Sequence, residues 1–209
     1  VPNGADPEMF TPASRGEGFR RQHQLDGKFV VLYAGAHGFS NDLGVVLEAA
    51  AAARERSDMV FVLVGDGKEK PALLEQARAL RLENVRFIPS VPKNEIAEVL
   101  AAADACIAIL KPLEMYKTTY PNKVFDYMAA GRPVLLAIDG VIRAVVERTG
   151  CGIAVPPGDA RALAEAAMTL ADQPELAGRM GAAGRKAIEE EFRRDRFAAQ
   201  FAMILEEMR

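Results

Sequence analysis

Residues 29–64 read FVVLYAGAHGFSNDLGVVLEAAAAARERSDMVFVLV. Phe29 to Ala34 is a short apolar run rich in β-branched and aromatic residues, stopped by Gly35, and it reads as a buried strand. Asn41 to Arg56 has helical period, and Met59 to Val64 is a second apolar run. A strand, a helix and a strand in this order predict parallel strands joined by a crossover helix.

The same alternation continues outward. Further strands are expected at Val85 to Ile88, Ala105 to Leu110, Val134 to Ile138 and Ile153 to Val155. Helices are expected near Lys70 to Leu80, Asn94 to Ala103, Asn122 to Ala130 and Val141 to Glu147. The fold class that follows is α/β, a Rossmann-like parallel sheet with helices on both faces. After Val155 come helices near Asp159 to Ala171, Glu175 to Glu191 and Arg194 to Met208, the last with Phe197, Phe201, Ile204, Leu205 and Met208 in an apolar stripe. Thr11 to Gly27 is polar, turn-rich and without period, so residues 1–27 are expected to be a connection and linker and 28–209 the domain. The opening VPNGADPEMF reads as a strand end entering a turn, as though cut from a longer protein.

The formal net charge of −3 offers no general attraction for nucleic acid or anionic lipid, so an anionic ligand has to be held locally. Cys106 and Cys151 lack metal-ligand spacing, and no structural metal is expected. There is no apolar run of about 20 residues and no signal-like N-terminus, which makes a cytoplasmic location the expectation.

In such a sheet, ligands sit beyond the carboxyl ends of the strands. The loop after the first strand contains Gly35, His37, Gly38 and Asn41. Its glycines let backbone approach a phosphate, although the same turn serves any strand-to-helix connection and His37 is equally readable as a loop histidine. After the second strand, Lys68 and Lys70 can reach a phosphate, while Asp66 is placed either for a ribose or as a helix cap. A nicotinamide-dinucleotide reading lacks its GxGxxG. In TTYPNKVFDYMAAGRPVL (118–135), Asn122 and Lys123 fall in the first turn of a helix, with Asp126 one turn on along nearly the same face. A carboxylate there can accept both hydroxyls of a ribose, or it can form a surface pair with Lys123.

The blocks VLYAGAHGFSNDLGVVLEAA, FVLVGDGKEKPALLEQA, NVRFIPSVPKNEIAEVLAAADACIA and PNKVFDYMAAGRPVL, with PNGADPEMF before them, occur in an order that resembles the family 4 retaining glycosyltransferases. The similarity is greatest to the donor-binding half of the GT-B architecture in bacterial enzymes of surface polysaccharide synthesis. The resemblance implies that Asp126 holds the nucleotide ribose, that the backbone around Ser90 and Val91 reads the base, and that Thr118, Thr119, Tyr120, Asn122 and Lys123 lie over the donor sugar and diphosphate. It implies a UDP-sugar donor, a sugar or lipid-linked acceptor, an N-terminal acceptor domain outside this chain, no cofactor or metal, and a parent protein peripheral at the inner face of the membrane. Lys70 and Lys123 are then the groups that stabilise charge on the leaving diphosphate. The chain departs from the family pattern at Thr118, where many members have Glu, and at Ala36 and Asn41, where the first loop usually carries Arg and Lys. A non-catalytic nucleotide-sugar-binding module is the alternative these departures raise.

Overall fold

A computed structural model of the chain describes residues 4–207. Strands β1 (Phe29–Ala34), β2 (Met59–Val64), β3 (Val85–Ile88), β4 (Ala105–Ile109), β5 (Val134–Ala137) and β6 (Gly152–Ala154) form one sheet in the order β3-β2-β1-β4-β5-β6. Every pairing is parallel, and β1 and β2 run in register from Phe29 opposite Met59 to Ala34 opposite Val64. The order reverses between β1 and β4, which opens a crevice at the carboxyl ends of the strands.

The helices are α1 (Glu17–Gln22), α2 (Leu43–Ala52), α3 (Lys70–Ala79), α4 (Ile96–Ala101), α5 (Asn122–Ala129), α6 (Val141–Thr149), α7 (Ala160–Asp172), α8 (Pro174–Glu190) and α9 (Arg194–Glu207). Successive side chains of a strand point to opposite faces, and β1 divides its residues accordingly. Val30 and Leu32 pack with Leu100 of α4, Phe125 of α5 and Ile188 of α8, whereas Val31 and Tyr33 pack with Leu47 of α2 and Leu163 of α7. Both faces are covered, which is why the strands read as unbroken apolar runs rather than alternating ones.

Three expectations are revised. The helix expected from Asn41 to Arg56 is shorter: a 3₁₀ turn spans Phe39–Asn41, Asp42 takes left-handed φ 41°, and α2 ends at Ala52 before a turn into β2. The segment expected as an aperiodic linker is folded onto the domain. Within it α1 buries Phe19, Leu25 is fully buried, and Arg20 reaches across to Asp104 at 2.5 Å, while Glu98 of α4 accepts from the Phe19 N–H at 3.2 Å. Two isolated apolar residues make no period, so only the distant partners reveal that this stretch belongs to the core. On α9 the expected stripe is largely outward: Phe197 is half-buried, with its ring centroid 6.3 Å from that of Phe192, but Phe201 is 54% exposed. Met208 and the side chains of Ile204 and Leu205 lie outside the described residues. No helix among the described residues is long and apolar enough to cross a membrane.

Candidate functional site

A pocket of about 460 Å³ opens at the carboxyl ends of β1, β2 and β3. Its walls come from five places: Gly35 and Ala36 after β1, Gly65 and Asp66 after β2, Ser90 and Val91 after β3, Lys123, Asp126 and Tyr127 from α5, and Ile96 and Leu100 of α4, which form an apolar side. Six residues singled out in the sequence, Gly35, Asp66, Ser90, Val91, Lys123 and Asp126, therefore meet in one cavity. They lie as much as 91 residues apart in the chain and are brought together only because β1, β2 and β3 are neighbours in the sheet and α5 packs across their ends.

Lys123 and Asp126 are one turn apart on α5 and have different surroundings. Lys123 Nζ donates to Tyr33 Oη at 2.8 Å and stands 3.9 Å from the centre of the same ring. Burial lowers Lys123 from its ordinary value to about 7. Asp126 is pushed upward by burial, opposed by Arg194 and Lys93. Arg194, the first residue of α9, approaches its carboxylate at 3.7 Å. Behind both, Tyr127 is buried with its hydroxyl bonded to the Ala34 backbone N–H at 3.2 Å, fixing α5 against the end of β1.

The loops after β1 and β2 are in direct contact. Gly35 and Gly65 have φ 147° and 149°, and a Cβ on Gly65 would lie 1.9 Å from the Gly35 carbonyl oxygen. The His37 N–H donates to the Asp66 carbonyl at 2.7 Å, and the Glu69 N–H donates to the His37 carbonyl at 3.0 Å. These bonds turn the His37 ring inward. It is fully buried, neither ring nitrogen has a protein partner, and its pKa falls to about 4, first from burial and then from Lys70, with Asp66 opposing and Lys123 adding to the fall. His37 thus stands behind the pocket wall, which corrects its reading as a ligand contact.

The remaining candidates surround the pocket. Lys70 Nζ donates to the Gly65 carbonyl at 2.8 Å and lies 3.8 Å from Asp66 Oδ2, so it braces the second loop from beneath the rim. Lys68 is exposed, and Asn122 is exposed at the start of α5. Asn41 Nδ2 donates to the Ala36 carbonyl at 3.0 Å, which makes it a brace of the first loop, and Gly38 lies between them. Thr118 ends a 3₁₀ turn from Glu114, and its hydroxyl donates to the Met115 carbonyl at 3.4 Å. Thr119 and Tyr120 follow, half-buried, with the Tyr120 ring 6.5 Å from Phe125. Sequence reasoning passed over Tyr33, Tyr127 and Arg194. A tyrosine at the end of a buried aliphatic strand is a readable signal, because its hydroxyl needs a partner. Arg194 gave none, since α9 returns to the site only in three dimensions.

The fold defines a doubly wound α/β domain whose pocket lies at the carboxyl ends of β1, β2 and β3, beside the reversal of strand order. The chain belongs to the glycosyl transferases group 1 family, whose model matches residues 28–173, and its architecture is that of one half of the GT-B fold. It is similar to the N-acetyl-alpha-D-glucosaminyl L-malate synthase of Bacillus anthracis, 27% identical over 159 residues that make up 76% of this chain and 40% of that protein. It is also similar to the phosphatidyl-myo-inositol mannosyltransferase of Mycobacterium leprae, 28% identical over 90% of this chain and 48% of that protein. The chain thus spans less than half the length of these relatives. Among solved structures, Anabaena HepE in complex with UDP and glucose matches with a TM-score of 0.85 and 22% identity, over 98% of this chain and 55% of that one. The C-terminal domain of the Francisella tularensis group 1 glycosyl transferase LpcC matches with a TM-score of 0.76 and 18% identity, over 90% of this chain and 98% of that domain.

Proposed function

We propose that this chain is the donor-binding domain of a retaining glycosyltransferase and takes a UDP-sugar into the pocket between β1, β2, β3 and α5. The observation that carries the reading is the meeting of Lys123 and Asp126 with the Ser90–Val91 backbone in one cavity. A nucleotide diphosphate has three parts, and the cavity offers a different chemistry to each. The backbone at Ser90 and Val91 faces the base, the Asp126 carboxylate accepts the two ribose hydroxyls, and the Lys123 ammonium with the amides of the first loop meets the diphosphate. A sugar nucleotide loses its diphosphate as the glycosidic bond breaks, so the protein's part is to stabilise negative charge that grows on the bridging and terminal oxygens. In a front-side reaction the departing diphosphate itself accepts the acceptor proton, and no protein base or divalent metal is required.

The relatives support the donor class without fixing the sugar. HepE has been crystallised with UDP and with UDP-glucose, and WaaG is a glycosyltransferase of lipopolysaccharide biosynthesis. We infer further that the donor carries a hexosyl or N-acetylhexosaminyl group, that the acceptor is a sugar or lipid-linked sugar, and that the setting is surface polysaccharide synthesis at the cytoplasmic face of the membrane. The test is calorimetric titration of the chain with UDP, GDP and ADP and with their glucose conjugates, with and without EDTA. The uridine ligands should bind most tightly and EDTA should change nothing. Equal affinity for the three bases, or binding that requires a metal, would overturn the reading.

A further inference from the structure

The first loop lacks the two cations that the family pattern puts at Ala36 and Asn41, yet it is organised around a cation from elsewhere. Tyr33 Oη has a single proton and donates it to the Ala36 carbonyl at 2.8 Å. Its lone pairs are then free to accept from Lys123 Nζ at 2.8 Å. Asn41 donates to the same Ala36 carbonyl at 3.0 Å. The relay runs from Lys123 to Tyr33 to Ala36, closed by Asn41, and it holds the ammonium beneath the loop. A Cβ on Gly35 would lie 2.8 Å from Nζ, so the glycine is what leaves room for it.

We propose that Tyr33 is the positioning residue that presents Lys123 to the diphosphate, and that nucleotide-sugar binding is coupled to uptake of one proton at Lys123 Nζ. The inference rests on the donor-site reading above. Among the described residues no carboxylate makes an ion pair with Lys123, and each charged neighbour is otherwise engaged. Asp66 in the loop after β2 faces Lys70 at 3.8 Å, and Asp126 on the same helix as Lys123 faces Arg194 at 3.7 Å. Lys70 at the start of α3 is held by the Gly65 carbonyl, Tyr127 is bound to Ala34, and His37 in the first loop stays neutral above about pH 4. With no negative charge paired to it, Nζ feels burial unopposed, and burial lowers it to about 7 in the free protein. A diphosphate supplies that charge and keeps Nζ protonated when bound. The proton comes from solvent, so affinity is full below pH about 7 and declines as the pH rises through that value.

The experiment is isothermal titration with UDP-glucose, whose diphosphate carries no group titrating near neutrality, between pH 6 and 8.5 in two buffers of different ionisation enthalpy. Wild type should take up most of a proton at pH 8, and its affinity should fall by up to about tenfold per pH unit above neutrality. Uridine should show neither effect. Lys123→Met should bind UDP-glucose weakly, with no proton uptake and a flat pH profile. Tyr33→Phe should keep its uridine affinity, lose about tenfold for UDP-glucose at pH 7.5 and shift its uptake to lower pH. Uptake that persists in Lys123→Met would put the proton on another group and sink the proposal. A Tyr33→Phe profile identical to wild type would remove the positioning role. Tight UDP-glucose binding by wild type with no uptake would sink the coupling and leave the donor-site reading standing, whereas no binding of UDP-glucose at any pH would remove both.

Discussion

Asp126 has a specific place in the pocket wall, and its Arg194 partner does not fully compensate for burial. A charge-assisted contact to a ribose diol contributes about 1.5–3 kcal/mol. Asp126→Ala should therefore weaken UDP binding by roughly 10- to 100-fold in titration calorimetry. The loss should be smaller for 2′-deoxy-UDP, which offers one hydroxyl fewer. His37 makes a prediction of a different kind, about stability. In the unfolded chain it protonates near its ordinary value of 6.5, but in the folded protein only near pH 4. The unfolded state thus binds more protons between these values, and stability should decline as the pH falls from 6.5 to 4, by about 3 kcal/mol from this residue. Because both ring nitrogens lack a protein partner, His37→Phe should lose no hydrogen bond and should flatten that decline in urea unfolding measured at pH 7, 5.5 and 4.5.

The loops that follow β1 and β2 act as one element because Gly35 and Gly65 let their backbones touch. Gly65→Ala would set a Cβ against the Gly35 carbonyl at a φ that side chains rarely adopt. It should cost about 2–4 kcal/mol in denaturant unfolding and should reduce UDP affinity, since the Gly35 loop would be displaced from Lys123. A second comparison separates the two lysines. Lys123 lines the cavity, whereas Lys70 braces the second loop through the Gly65 carbonyl. Lys123→Ala should weaken UDP binding far more than uridine binding, while Lys70→Ala should weaken both and lower the melting temperature. Equal losses on the two ligands for Lys123→Ala would argue that it, too, is only a brace. These elements were largely legible beforehand: β1, β2 and β3 have the expected bounds, and α5 starts at Asn122 as its turn residues indicate. The α1 segment was not, because its burial depends on Glu98 and Asp104, some 80 residues away.

At the scale of the whole molecule, apolar side chains among the described residues remain uncovered in two places. Phe39 and Met115 are 63% and 70% exposed in loops at the carboxyl end of the sheet, and Phe201 and Met203 are exposed on α9. Because the chain spans less than half the length of the Bacillus anthracis and Mycobacterium leprae relatives, and because transfer needs an acceptor positioned over a water-free donor, we expect this chain to bind UDP-sugar without turning it over. A radiolabelled transfer assay with the chain alone checks this, and robust transfer would refute it. The sequence by itself determined the parallel α/β fold, since its apolar runs and helical periods are local patterns that survive without knowledge of partners. It also carried the candidates Asp126 and Lys123, whose spacing on one helix face is itself local. Only the tertiary structure decided which candidates share a cavity, that His37 turns inward, and that Tyr33 and Arg194 attend the two polar residues of α5. Those outcomes depend on the distances between segments far apart in the chain, which are set by the strand order of the sheet and the path of α9, and no local spacing encodes them.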